Sequence, residues 1–319
     1  MFNVESTIAT QVVSVDLGNG MIKGVRKGSI GEMIKECIPN KVEFGDTLDT
    51  ENSIKIELNG KSVYVGIGEL NDNQLKHDRP HLMEQTLAMI SKLYPTATTL
   101  RVQLRLGLPA THCFNEQFRN KLKAQIISGE WIKFKCNGTD RNIFIESVGV
   151  CVEGYSAYMS IRDKIDVDED ILIIDVGAGT TDLCSFIYEN GTYRVGKVHT
   201  IDVGVNKLTE IIANAMSKAI GTKIEATKVD DRLRSGKNTI FYGGENHNIL
   251  DYLEVIEPTV KSMLNEMNKE YDDIAKYYSV GIGGGYATFN RIADRYIKAT
   301  VDFDDSIRMY ANAEGYLKQ

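Results

Sequence analysis

Two aspartates in this chain close apolar strands, and each is followed by glycines at the same spacing. Val12–Lys23 reads VVSVDLGNGMIK and Asp170–Leu183 reads DILIIDVGAGTTDL. A carboxylate at the end of a buried strand can hold a hydrated Mg²⁺. Glycines after it let backbone N–H groups approach phosphate oxygens. One such turn is common and often only structural. The repetition makes it informative: with Asp16 laid on Asp175, Gly18 falls on Gly177, Gly20 on Gly179, and Lys23 on Asp182.

Each copy opens a unit of three strands. The second continues through SFIYENGTYRVGKV, with Asn190-Gly191 as a hairpin turn, and the first through GVRKGSIGEMIKECI. Two such units predict two domains facing each other across one nucleotide. Asn40–Asn73 reads as a small insertion with a hairpin at Asn59-Gly60, followed by a helix over His81–Tyr94 and a strand over Leu100–Leu108. Asn115 caps a helix with Phe118, Leu122 and Ile126 on one face. Its Arg119, Lys121 and Lys123 read as a solvated face. Thr222–Leu250 is polar and irregular, an outer subdomain or a mobile loop, and its RLRSGK is either solvated or a partner contact. A long helix, Glu257–Lys276, runs into YYSVGIGGGYATF.

Further residues could serve the same chemistry. Glu146 is expected where the strand RNIFI meets an amphipathic helix, SVGVCVEGYSAYMSI, and could orient a water there; the alternative is an ordinary first-turn carboxylate. Glu153 lies on the same expected helix face and is the fallback. Gly204 precedes a helix and could open its N-terminus towards a phosphate. Gly283, Gly284 and Gly285 would let backbone pack against a base and ribose. His77 and His81 are four apart but lack a third ligand at metal spacing, and read as solvated. In the last helix Ala311, Ala313 and Gly315 suit close packing back onto the first domain.

The 319 residues suffice for two domains with large cores, and a net charge of −7 gives no general reason to bind nucleic acid. Met1–Gln11 lacks the pattern of a signal peptide, and no segment approaches the ~20 apolar residues of a membrane span. Five scattered cysteines without a CxxC pair read as reduced thiols in a cytoplasmic protein.

The order of these parts resembles the actin, heat-shock chaperone and sugar kinase ATPase superfamily. The order is Asp-x-Gly-x-Gly-x-x-Lys, a strand followed by Glu, IIDVGAGTTD, VGIGGG, and a small-residue terminal helix. Within it the chain is similar to the ParM-type bacterial actins, which segregate plasmids, through its length, IESVG, LIIDVGAGTTD and SVGIGGG. The resemblance implies an α/β fold of two RNase H-like domains, each a mixed five-stranded sheet flanked by helices, with a nucleotide cleft between them. Domain I would take 1–165 plus 300–319, with an inserted subdomain at about 40–95. Domain II would take 166–299, with an outer subdomain at about 220–256.

It also implies roles. The first phosphate loop is Asp16–Lys23, with Gly18, Asn19 and Gly20 around the phosphates and Lys23 either on phosphate or on a nearby acid. The second is Asp175–Thr181, with Gly177, Ala178, Gly179, Thr180 and Thr181. Asp16 and Asp175 hold Mg²⁺ through water, Glu146 orients the attacking water, and Gly283–Gly285 holds the nucleoside. The activity implied is hydrolysis of ATP or GTP coupled to head-to-tail filament assembly. DNA would be engaged through an adaptor protein and not directly, and no membrane is involved. A small-molecule kinase, a membrane-linked shape or division actin, and a chaperone-like switch are the alternatives. No substrate-binding insertion, amphipathic anchor or further domain is seen for them.

Overall fold

Val13–Leu17, the apolar half of strand β1 (Thr10–Leu17), is buried along its length, so the strand must be covered on both faces. The computed structural model describes residues 8–45, 53–71, 75–298, 301 and 303–319. Most of Met1–Gln11 and part of the expected insertion therefore lie outside the described residues. The chain divides into two units, Met1–Ser160 with Tyr310–Gln319, and Ile161–Met309.

In the first unit β1, β2 (Met21–Lys27) and β3 (Met33–Pro39) form an antiparallel meander. Then come β4 (Lys41–Phe44), β5 (Ile54–Leu58), β6 (Lys61–Val65), β7 (Glu69–Leu70) and helix α1 (Leu82–Leu93). Asn59 and Gly60, with φ of 50° and 76°, make the tight β5–β6 turn. Next are β8 (Thr99–Leu108), the short α2 (Ala110–Cys113), α3 (Glu116–Ile126), β9 (Ile132–Cys136), β10 (Thr139–Val152) and α4 (Tyr155–Ile161). The Asn115 side chain caps α3 by accepting from the Gln117 N–H at 2.9 Å.

The sheet order is β3-β2-β1-β8-β10-β9-β5-β6-β4-β7, with β8 parallel to both β1 and β10. Its first five strands are the expected core. The sheet is nonetheless ten strands wide, because β9 recruits β5 and the insertion joins the main sheet instead of standing apart. Helix α1, placed in the insertion by the sequence reading, packs on β2 instead: a Cβ at Gly24 would strike Met89, with Leu93 at 2.9 Å.

The second unit repeats the plan. β11 (Ile171–Val176), β12 (Thr181–Glu189) and β13 (Thr192–Ile201) form the meander, followed by α5 (Val205–Ile220), α6 (Ala226–Arg234) and the hairpin β14 (Thr239–Tyr242)–β15 (Glu245–Asn248). Helix and hairpin replace the irregular stretch expected over 222–250. Arg234 in its basic run pairs with Asp230 at 2.7 Å. Then come α7 (Glu257–Tyr271), β16 (Tyr278–Ile282), α8 (Tyr286–Ala293) and α9 (Asp305–Tyr316). The sheet order is β13-β12-β11-β16, four strands, and Val301 bridges Val280 in parallel at the place of a fifth.

Each unit has its own core. Val15, Met89 and Leu104 belong to one, and Leu172, Ile212 and Phe289 to the other. The end of α9 packs in the first unit, where Ser14 Oγ donates to Ala313 O at 2.6 Å and Gly315 lies against the backbone of Ser156. All five cysteines are unpaired, and burial pushes the Cys184 thiol up to about 12. No helix among the described residues is long and apolar enough to cross a membrane.

Candidate nucleotide site

In the first unit the loop after β1 is held from one side. Arg79 Nη1 donates to Leu17 O at 2.7 Å and to Gly18 O at 3.4 Å, and Nη2 donates to Asn19 Oδ1. Asn40 completes the brace: its Nδ2 donates to Asn19 O at 3.0 Å and its backbone N–H to Gly20 O at 3.0 Å. A trans peptide points its C=O and the following N–H in opposite directions. Fastening the carbonyls of Leu17, Gly18, Asn19 and Gly20 to the protein therefore turns the N–H groups after them the other way. That is a cradle suited to an anion.

Asp16 stands at the root of this loop, buried, directly across the β1–β2 ladder from Lys23. Lys23 Nζ lies 2.6 Å from Asp16 Oδ2, so of its two expected partners Lys23 takes the acid here. Lys76 Nζ lies 3.5 Å from Asp16 Oδ1 and also bonds to Glu153 Oε1. Burial alone would raise the Asp16 carboxyl, but the Lys23 and Lys76 ammoniums outweigh it and hold the carboxyl at about 2. Burial would lower Lys76, yet Glu153 and Asp16 together keep it raised above the usual lysine value.

The position expected for Glu146 needs correction. The chain does not turn into a helix after Ile145, because β10 continues to Val152 along β8. The ladder shifts register between Ile145 and Ser147, a bulge in which Glu146 is exposed, with Gln103 Nε2 at 3.4 Å. Glu153 follows the last residue of the strand, seven residues or roughly 20 Å beyond Glu146, and Gly154 then turns the chain with φ 76°. Glu153 is buried, its N–H donates to Leu108 O at 3.0 Å, and Tyr316 Oη lies 3.4 Å from its Oε1. The Tyr316 ring fits there because Gly107 has no side chain.

In the second unit the parallel pairing of β11 with β16 sets Asp175 beside Ile282, so the loops after both strands leave the same sheet edge side by side. Here α5 supplies the brace: Val205 N–H donates to Gly177 O at 3.0 Å and Asn206 N–H to Ala178 O at 2.9 Å. The N–H groups of Ala178 and Gly179 are thereby turned away from the helix. Gly204 permits this approach, since a Cβ there would lie 2.5 Å from Ala178 O. The first N–H groups of α5 thus serve the loop, which revises the expectation that they face phosphate.

Gly177 N–H closes the turn on Thr180 O at 2.9 Å. Thr181 is buried, with Oγ1 donating to Val203 O at 2.8 Å. Asp182 faces Asp175 across the ladder and accepts from Thr180 Oγ1 at 3.1 Å and Thr200 Oγ1 at 2.7 Å. Gly283 adopts φ 85°, and a side chain there would collide with Asp175 Oδ1 and lie 2.5 Å from Val176 O. Gly285 N–H donates to Val176 O at 2.9 Å, and a Cβ at Gly284 would lie 3.3 Å from Arg234 Nη1.

Sequence reasoning missed Asn40, Lys76 and Arg79, whose local sequence reads as ordinary polar loop. It also read His77 as solvated. His77 is buried, stacked on Phe118 with ring centroids 3.9 Å apart and edge-on to His112 at 5.6 Å. Among the described residues no cluster of three His, Cys, Asp or Glu side chains could hold a metal by itself. A hydrated Mg²⁺ needs fewer protein ligands than that. Asp16, ionised and seated beside an anion cradle, fits such an ion, as does Asp175 beside its own.

A repeated meander with an aspartate and a braced glycine loop at the end of each first strand is the plan of an actin-like fold. The comparisons agree with that fold, and two actin-like family models together match most of the chain. The family "Actin like proteins N terminal domain" matches residues 14–155, and "Archaeal actin homologue MreB-like, C-terminal" matches 173–292. Among solved structures, the archaeal actin homologue Ta0583 in complex with ADP is similar at TM-score 0.75 and 14% identity, over 97% of this chain and 98% of that one. A 15-stranded ParM filament from Clostridium botulinum is similar at TM-score 0.71 and 18% identity, over 98% and 99%. The Alp12 filament structure is similar at TM-score 0.64 and 17% identity, over 97% of each chain. No curated protein sequence matches.

Proposed function

We propose that this chain is a cytomotive actin: it binds a nucleoside triphosphate, ATP or GTP, assembles head to tail into filaments, and disassembles after hydrolysis. The observation that carries this reading is the pair of loops, Gly18–Gly20 and Gly177–Gly179, whose carbonyls are tied back so that N–H groups turn the other way. Filament formation is supported by the similarity to the ParM and Alp12 filaments. The functional division is then 1–165 with 300–319, and 166–299. Segregation of plasmid DNA through an adaptor, in the cytoplasm, completes the proposal.

The N–H groups of the two loops bind the phosphates, and Gly283–Gly285 leaves room for base and ribose. Asp16 and Asp175 would hold Mg²⁺ through water, and the ion when bound neutralises charge on the phosphates. Glu153, not Glu146, is the carboxylate we assign to the attacking water: it accepts a hydrogen bond from that water and orients it. Its buried place at the end of β10, sharing Lys76 with Asp16, supports the assignment.

Right-angle light scattering and pelleting with Mg-ATP, Mg-GTP, a non-hydrolysable analogue and no nucleotide test the proposal. A rise that requires triphosphate and decays as phosphate is released is expected. Nucleotide binding without scattering at any concentration would remove the filament claim.

A further inference from the structure

Asp16, Lys76 and Glu153, all buried, and the half-buried Lys23 form a group of two cations and two anions in the first unit. Lys23 is committed to Asp16 at 2.6 Å by its cross-strand position. Lys76 is not fixed in that way. It arrives from a single 3₁₀ turn, Lys76–Asp78, and its ammonium spans Glu153 and, at 3.5 Å, Asp16. The turn itself is anchored. Asp78 pairs with Lys121 on α3, and Arg79, the next residue along, grips the carbonyls of the first loop. A fixed backbone with a flexible four-carbon stem and a compact charge allows the head to change partners while the fold stays put.

We propose that Lys76 reads the terminal phosphate of a bound nucleoside triphosphate, exchanging its carboxylate partners for that phosphate; this rests on the nucleotide reading above. A buried ammonium needs an anion close by. Asp16 would keep Lys23 beside it and could hold a hydrated Mg²⁺, which would supply positive charge there, so that Lys76 is free to face the terminal phosphate. A diphosphate lacks that group and leaves the ammonium on Glu153. Departure of Lys76 from Glu153 also opens that carboxylate to a water, so hydrolysis would be primed only when the third phosphate is present.

The test is calorimetric titration of a non-hydrolysable triphosphate analogue and of the diphosphate, each with Mg²⁺. The proteins are the wild type, Lys76→Met, Lys76→Arg and the double variant Lys76→Met/Glu153→Gln. The double variant removes the carboxylate that Lys76→Met would strand, so the comparison survives if the single variant fails to fold. We expect both Met variants to lose triphosphate affinity about tenfold or more, with the diphosphate within about twofold, and Lys76→Arg to recover most of the loss. Equal weakening of both nucleotides, or unchanged triphosphate affinity, would overturn the proposal. If the wild type bound neither nucleotide, the proposal would fall together with the nucleotide reading. If it bound both and only the selective loss were missing, the reading would stand and Lys76 would be structural.

Discussion

Lys23 stands directly across the β1–β2 ladder from Asp16, its Nζ 2.6 Å from Oδ2, whereas the matching position of the second unit places Asp182 across from Asp175. The two halves therefore share a backbone plan and differ in charge at one register position. The first meets its aspartate with a cation, and the second with a carboxylate bonded by Thr180 and Thr200.

The Asp16 pairings make stability depend on acid. Its carboxyl is held at about 2 in the folded chain, against 3.8 ordinarily. A depressed carboxylate stabilises the fold above the unfolded value, and that contribution fades as pH falls through the folded one. It should amount to about 2 kcal/mol at neutral pH and vanish between about pH 4 and pH 2. Urea unfolding of the wild type and Asp16→Asn across that range checks this, with the variant showing the shallower acid dependence.

Arg79 is wholly buried and bonds three groups of the first loop. Arg79→Lys keeps the charge but loses the fork, so loop carbonyls are stranded. A loss of about 2–4 kcal/mol is expected from denaturant midpoints, with weaker nucleotide binding. Unchanged stability would mean that the loop holds its shape unaided.

Gly283→Ala combines a positive φ with a collision at Asp175 and Val176. It should cost about 2–4 kcal/mol. Gly191→Ala, at φ 77° with open space around it, should cost only about 1 kcal/mol. Thermal melts of the pair separate backbone strain from the close approach.

Glu153→Gln should slow phosphate release by about a hundredfold or more, and Glu146→Gln should leave it within about twofold. A phosphate-release assay on filaments decides between the two carboxylates; the reverse order would return the role to the bulge.

The two Asp-x-Gly-x-Gly turns, the hairpins at Asn59-Gly60 and Asn190-Gly191, the Asn115 cap and the duplicated meander are all legible in the residues alone. All of these depend on neighbours within a few residues. A turn needs its glycine, a cap its side chain, and a buried strand its apolar run.

What surrounds the loops depends on contacts between segments far apart in the chain. Val148–Val152 reads VGVCV, whose alternating valines also suit a strand; pairing with β8 makes it one, which leaves Glu146 exposed in a bulge and buries Glu153. Lys76 and Arg79 sit in a short polar run that carries no motif of its own. Folding brings them to Asp16 and Leu17, some sixty positions away in sequence, as their bonds at separations of 60 and 62 record. Burial and pairing at such separations are properties of the sheet order. A local pattern can announce a phosphate loop, but the groups that brace it and balance its charge are chosen by which distant segments the sheet sets beside it.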